Sequence, residues 1–198
     1  MTENSEQIDL NERLKLIETM IAEGRRTTES WGWTFVLWGV AYYVAIAWAT
    51  WGHSNLAWPV TMIVAAMLTA LPISRRRQNQ PETTVGRAIG AAWMAMGISL
   101  FTLLMSLAIS GRYESHVFVA IIGAMLGTAN ATSSMILRWK MQFGCALAWW
   151  ALAVAACFGS ENVVTIAFLA AIFFCQIVFG IYCMIAESRE ARQSEVHA

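Results

Sequence analysis

No charged residue falls between Trp31 and Trp51, WGWTFVLWGVAYYVAIAWATW, and tryptophans stand near both ends of the run. A bilayer hydrocarbon core of ~30 Å takes about 20 mainly apolar helical residues to cross. Trp prefers the two membrane–water interfaces, so Trp31 and Trp33 at one end and Trp48 and Trp51 at the other suit a spanning helix. Five more apolar runs follow: Leu56–Ile73, Ala88–Ser110, Val117–Leu137, Met141–Phe158 and Val163–Ala186. The links between them are GHSN, SRRRQNQPETTVGR, GRYESH, RWK and GSEN. A transmembrane β-barrel would show alternating segments of ~10 residues rather than continuous runs. In lipid each segment has to satisfy its own backbone donors and acceptors, so every run reads as a helix. The expected fold is an all-α integral membrane bundle of six spans, about 31–51, 56–73, 88–110, 117–137, 141–158 and 163–186.

Composition agrees. Of 198 residues 58% are hydrophobic and only 13% charged, where soluble proteins carry about a quarter charged. There are too few polar residues to coat a water-soluble domain of this size. The net charge is zero, so no nucleic-acid partner is indicated. The first thirty residues hold no apolar run, so no cleavable signal peptide is expected and the first span acts as its own insertion signal. Cys145, Cys157, Cys175 and Cys183 all lie in apolar segments without C-x-x-C spacing, and read as small apolar residues.

Residues 1–30 form a polar preface. Asp9 followed by Glu12 resembles a capping box, and Leu10, Leu14, Ile17 and Ile21 then recur at helical spacing to make one apolar stripe. Gly24 is a plausible stop before Arg25-Arg26. The segment reads as an N-terminal cytoplasmic amphipathic helix, either lying along the interface or supplying a short seam over residues 9–23 for a protein partner or self-association. Residues 187–198 read as a cytoplasmic tail.

The basic residues set the orientation. Arg13, Lys15, Arg25 and Arg26 precede the first span, and Arg75, Arg76, Arg77 and Arg87 lie between the second and third. Arg138 and Lys140 join the fourth to the fifth, and Arg189 and Arg192 follow the sixth. Twelve of the thirteen basic residues thus fall on one side and only Arg112 on the other. Short loops rich in Lys and Arg stay cytoplasmic, which places both termini inside. Arg75, Arg76, Arg77 and Arg87 are also candidate contacts for anionic lipid, each basic residue near such a surface adding ~1 kcal/mol.

No Asp, Glu, Lys, Arg or His stands in the middle of a span. Such charges normally mark proton relays and ion paths, so pumps and proton-coupled antiporters are disfavoured. His53, His116 and Glu161 are interfacial, and a metal site from them lacks the tight ligand spacing such sites show. No nucleophile elbow, metalloprotease, phosphate-loop or dinucleotide motif occurs, so no enzyme activity and no cofactor are expected. Two deep amides stand out instead. Asn130 and Gln176 lie at matching depth from the outer ends of their spans, ~20 Å down at ~1.5 Å per residue, with Ser99 near that level. They read as interhelical glue worth ~0.6 kcal/mol per bond or as a small polar site. Gly123 and Gly127 form a small-x-x-x-small packing face, with Gly90 and Gly97 on a comparable face of the third span.

The expected function is that of a non-enzymatic membrane module binding a partner or lipid; the alternative is a small transporter or channel subunit for an apolar or uncharged solute. The segment Leu16-Ile17-Glu18-Thr19-Met20-Ile21, then Arg25-Arg26, then Trp33-x-Phe35-x-Leu37-Trp38-Gly39 resembles the opening of an uncharacterised family of small bacterial multi-span membrane proteins. The resemblance is confined to about residues 16–40. It implies a bacterial inner (plasma) membrane and carries no activity or site residues.

Overall fold

Because each apolar run is continuous, each becomes one helical rod in the computed structural model, the second even across Pro72. The structure describes residues 12–15, 18–19, 31–54, 56–79, 84–112 and 114–196, the side chains of 72–79 and 190–196 apart. The rods are α1 (Gly32–Gly52), α2 (Ala57–Asn79), α3 (Thr84–Ile109), α4 (Ser115–Leu137) and α5 (Lys140–Phe158). The last rod is composite: α6 (Glu161–Ile172) passes through a π-helical turn, Phe173–Val178, into α7 (Phe179–Val196). No strand occurs among the described residues.

Two of the stops are sharp reversals. His53 ends α1 and Arg138 ends α4 in the left-handed region, at φ 46° and 50°, a conformation costing a non-glycine residue ~1–2 kcal/mol. At Arg138 the reversal is held by Trp139 N–H, which donates to the Ser134 carbonyl at 2.9 Å. Only Arg138 and Trp139 then separate α4 from α5, which forces those helices into an antiparallel pair.

Five helices are long and apolar enough to cross a membrane: α1, α3, α4, α5 and the last rod over Glu161–Arg189. In α2 the apolar part is shorter, Ala57–Leu71, and the helix continues through the arginines to Asn79. Polar residues are thus not links by default: nothing between Ser74 and Asn79 stops a helix. The same holds at the far end, where α7 runs to Val196 through the segment expected as a tail. Of residues 1–30, Glu12–Lys15 and Glu18–Thr19 are helical and exposed; the remainder of the expected amphipathic stripe lies outside the described residues.

α2 lies along α1, with Trp38 Nε1 donating to Thr69 Oγ1 at 3.2 Å and the Tyr42 ring 6.0 Å from Trp58. α1 also runs along the last rod, where Tyr43 donates to the Leu169 carbonyl at 2.8 Å. Glycine permits the closest approach: a Cβ on Gly32 would lie 2.7 Å from the Gly180 carbonyl oxygen, and one on Gly180 2.7 Å from that of Gly32. α4 and α5 make the most extensive pair, with α3 on the outside of α4.

Edge-to-face aromatic contacts fill both ends of the bundle. Trp58 and Phe118 meet at 4.6 Å in one cluster, and Phe35 and Phe179 at 5.2 Å in the other, arrangements worth ~0.5–1.5 kcal/mol beyond their buried area. The outer surface is a girdle of exposed apolar side chains such as Val44, Met67, Ile98, Val154 and Ile166. Water-soluble monomers rarely expose a continuous apolar surface of this kind; lipid accepts it.

Candidate functional site: buried amides in the bundle

The interior holds a few polar side chains among aliphatic and aromatic ones. Thr34, Asn130, Ser133, Ser134, Gln142 and Gln176 are buried. Three of them have simple partners. Thr34 donates to the Trp31 carbonyl at 2.6 Å, Ser134 to that of Ala131 at 2.8 Å, and Ser133 accepts from Trp93 Nε1 at 2.9 Å.

The three amides are different. Asn130 Nδ2 donates to the Leu126 carbonyl of its own helix at 2.9 Å. Asn130 Oδ1, Gln176 Oε1, Gln142 Oε1 and Nε2, and the indole Nε1 of Trp149 have no protein partner. Since neither the Asn130 nor the Gln176 oxygen accepts a bond, no hydrogen bond joins those two amides. Leaving a buried polar atom unpaired costs ~1–3 kcal/mol, so this group is an energetic debit in the bundle by itself.

Helix pairing fixes their relative heights. Gly123 faces Trp149 and Ala153 across the α4–α5 pair, and Gly127 faces the Trp150 indole. Continuing that register places Asn130 opposite about residues 142–147. Cys175 meets Cys145 across the next pair, which sets Gln176 about level with residue 144. Gln142, Gln176, Asn130 and Trp149 all fall within about two turns of α5.

Gln176 sits in the π turn, a geometry that frequently marks functional positions, and its Cβ is 3.0 Å from where a Cβ on Gly39 would be. The extra residue of a π turn is invisible in an apolar periodicity. Gln142 was legible but passed over: it shares a helix face with Cys145, Ala146, Trp149 and Leu152, and all but the half-buried Cys145 are buried. A polar residue at the head of an inward stripe is the signal.

Other sequence-selected residues lie elsewhere. Ser99 is exposed on α3 and donates to the Ala95 carbonyl of its own helix at 2.9 Å. Arg75, Arg76 and Arg77 belong to the last turns of α2 and their side chains lie outside the described part, whereas Arg87 is exposed in the first turn of α3. A Cβ on Gly123 would lie 2.7 Å from the Trp149 carbonyl oxygen, one on Gly90 3.4 Å from the Trp31 ring, and one on Gly97 would meet nothing within 4 Å. His116 Nδ1 lies 3.0 Å from the Ala156 carbonyl, and no group of three or more metal-ligating side chains occurs among the described residues.

Fold and interior together define a helical bundle of the multi-pass membrane type with an amide-bearing core. No protein-family model, curated protein or solved structure matches the chain.

Proposed function

We propose that the chain is a six-span protein of a bacterial inner membrane, both termini cytoplasmic, that binds a small uncharged solute at its interior amides as a transporter or channel subunit. The supporting observation is the set of unpartnered atoms on Asn130, Gln142 and Gln176. Together with the Trp149 indole they offer both donors and acceptors, which suits a compact neutral molecule carrying both. An ion would lose its hydration in a region where the sequence supplies no opposite charge. The arginine-rich cytoplasmic side and the resemblance over residues 16–40 support the membrane and orientation.

The test is uptake of small neutral amides and polyols into proteoliposomes. Wild type should exceed protein-free vesicles, and Gln142→Leu and Gln176→Leu should each lower uptake about tenfold, the equivalent of ~1.4 kcal/mol of lost hydrogen bonding. Their melting temperatures in detergent should not fall, because each substitution removes an unpaired group. Unchanged uptake in both variants would overturn the reading.

A second reading, a non-enzymatic module that grips anionic lipid or a protein partner through residues 9–23 and the arginines, is favoured by one observation. α2 stays helical past its apolar part through Arg75–Arg77, and Arg87 is exposed at the start of α3. Neutralising these four arginines to Gln should then reduce anionic lipid retained through purification. Equal retention sinks it.

A further inference from the structure

Two cysteines that are 30 residues apart meet across the bundle. Cys175 in the π turn donates its thiol to the backbone carbonyl of Cys145 on α5, with Sγ 3.9 Å from the oxygen. Cys157 and Cys183 stand apart from them: Cys157 is exposed near the end of α5, and Cys183 packs on Gly32. Beside the pair, a groove of about 360 Å³ opens between α5 and the last rod. Ala148, Ala151, Ala170 and Phe174 are its exposed walls, and the buried Cys175 reaches its floor. Alanines make the slot by withholding side-chain bulk. Its lining carries no charge, it faces the apolar outer surface, and its size falls within the ~300–1,000 Å³ of small-molecule sites. Whatever reaches Cys175 by this route arrives dissolved in the hydrocarbon.

We propose that Cys145 and Cys175 are a redox-active dithiol, oxidised to an interhelical disulfide by a bilayer-dissolved quinone whose ring enters this groove. The Cys175 sulfur adds to the ring while its proton passes to one quinone oxygen. The Cys145 sulfur then attacks the Cys175 sulfur, and the ring departs with the bonding pair, taking the Cys145 proton on its second oxygen. Two S–H bonds break, one S–S and two O–H bonds form, and two electrons move from sulfur to the ring, giving a hydroquinone. Reactants and products are all neutral, so no charge is left in apolar surroundings, where an unpaired ion is costly. A metal held by two thiolates would not meet that condition. Cys175 Sγ already rests against the Cys145 backbone, so forming the ~2.05 Å bond joins two residues that are in contact. The product ties α5 to the π turn beside Gln176, so oxidation would act next to the interior amides.

The full chain, reduced and embedded in nanodiscs, is incubated with a short-tailed quinone. Free thiols, hydroquinone and cross-linked peptides are then measured. The expected result is loss of both thiols, one hydroquinone per chain and a Cys145–Cys175 peptide. Cys145→Ala or Cys175→Ala abolishes the cross-link, and Cys157→Ala or Cys183→Ala leaves it. Filling the groove with Ala151→Leu or Ala170→Leu should slow quinone oxidation about tenfold, equivalent to ~1.4 kcal/mol, while a small water-soluble dithiol oxidant still forms the disulfide at the wild-type rate. Thiols that persist in quinone, a quinone adduct retained on Cys175, or groove variants that slow both oxidants equally would each overturn the proposal.

Discussion

One methyl group measures how close two helices come. On Gly123 it would meet backbone, the Trp149 carbonyl oxygen at 2.7 Å and Ala153 N at 3.0 Å, and backbone cannot swing aside. Gly123→Ala should therefore destabilise by ~1–3 kcal/mol, the usual cost of overpacking, seen as a lower melting temperature in detergent. Gly127→Ala would drive its methyl into the Trp150 indole, a bulky half-buried ring that would have to turn away from α4, and should be destabilising as well. Gly97→Ala meets nothing within 4 Å and should be neutral or stabilising by up to ~1 kcal/mol, since Ala is the better helix former. An equal loss in all three would contradict this reading of the α4–α5 contact. The difference among these glycines marks a boundary of sequence reasoning. Spacing shows that glycines share a helix face; it does not show which face finds a partner. The Gly32–Gly180 contact lies beyond that boundary, since each helix brings a single glycine there and no repeat announces it.

At the scale of elements, the helices were legible because lipid-compatible runs leave the backbone no other choice. The π turn was not, because packing on both of its flanks creates it. Tyr43 holds Leu169 above the turn, while Gly32 and Phe35 hold Gly180 and Phe179 below it. With both flanks pinned, one surplus residue is accommodated between them as a wider turn. Deleting Phe174, which is exposed, should let Phe173–Val178 close as ordinary α-helix with both flanks keeping their partners. The expected outcome is a melting temperature within a few degrees of wild type, at ~2–4 °C per kcal/mol for a chain of this size. Gln176 would nonetheless be displaced from Gly39, and solute uptake lost. A large loss of stability would mean that the turn is needed for folding rather than for placing Gln176.

For the whole molecule, the decisive quantity is whether α2 crosses the membrane. Its apolar part, Ala57–Leu71, is ~22 Å long at ~1.5 Å per residue, short of a ~30 Å core. Charge counting argues that it crosses nonetheless. If all six rods cross, the thirteen basic residues divide twelve to one across the bilayer; if α2 alone fails to cross, every later loop changes side and the division becomes five to eight. Topology follows the asymmetry of Lys and Arg in short loops, which strongly prefers the first. The missing length can be met by local thinning of the bilayer, at fractions of a kcal/mol per Å, and by long arginine side chains rising to the headgroups. The chain supplies both conditions: α2 continues as helix to Asn79, so Arg75–Arg77 ride directly on the end of the apolar part. Single cysteines placed at Ser54 and Asn79 in a cysteine-free background should therefore react with a membrane-impermeant maleimide from opposite sides. Ser54→Cys should label in intact cells and Asn79→Cys only after permeabilisation. Replacing Arg75, Arg76 and Arg77 with Gln while adding lysines beside Ser54 should weaken that asymmetry. Labelling of both sites from the outside would leave five crossings, put the two termini on opposite sides, and remove the support for a six-span bundle.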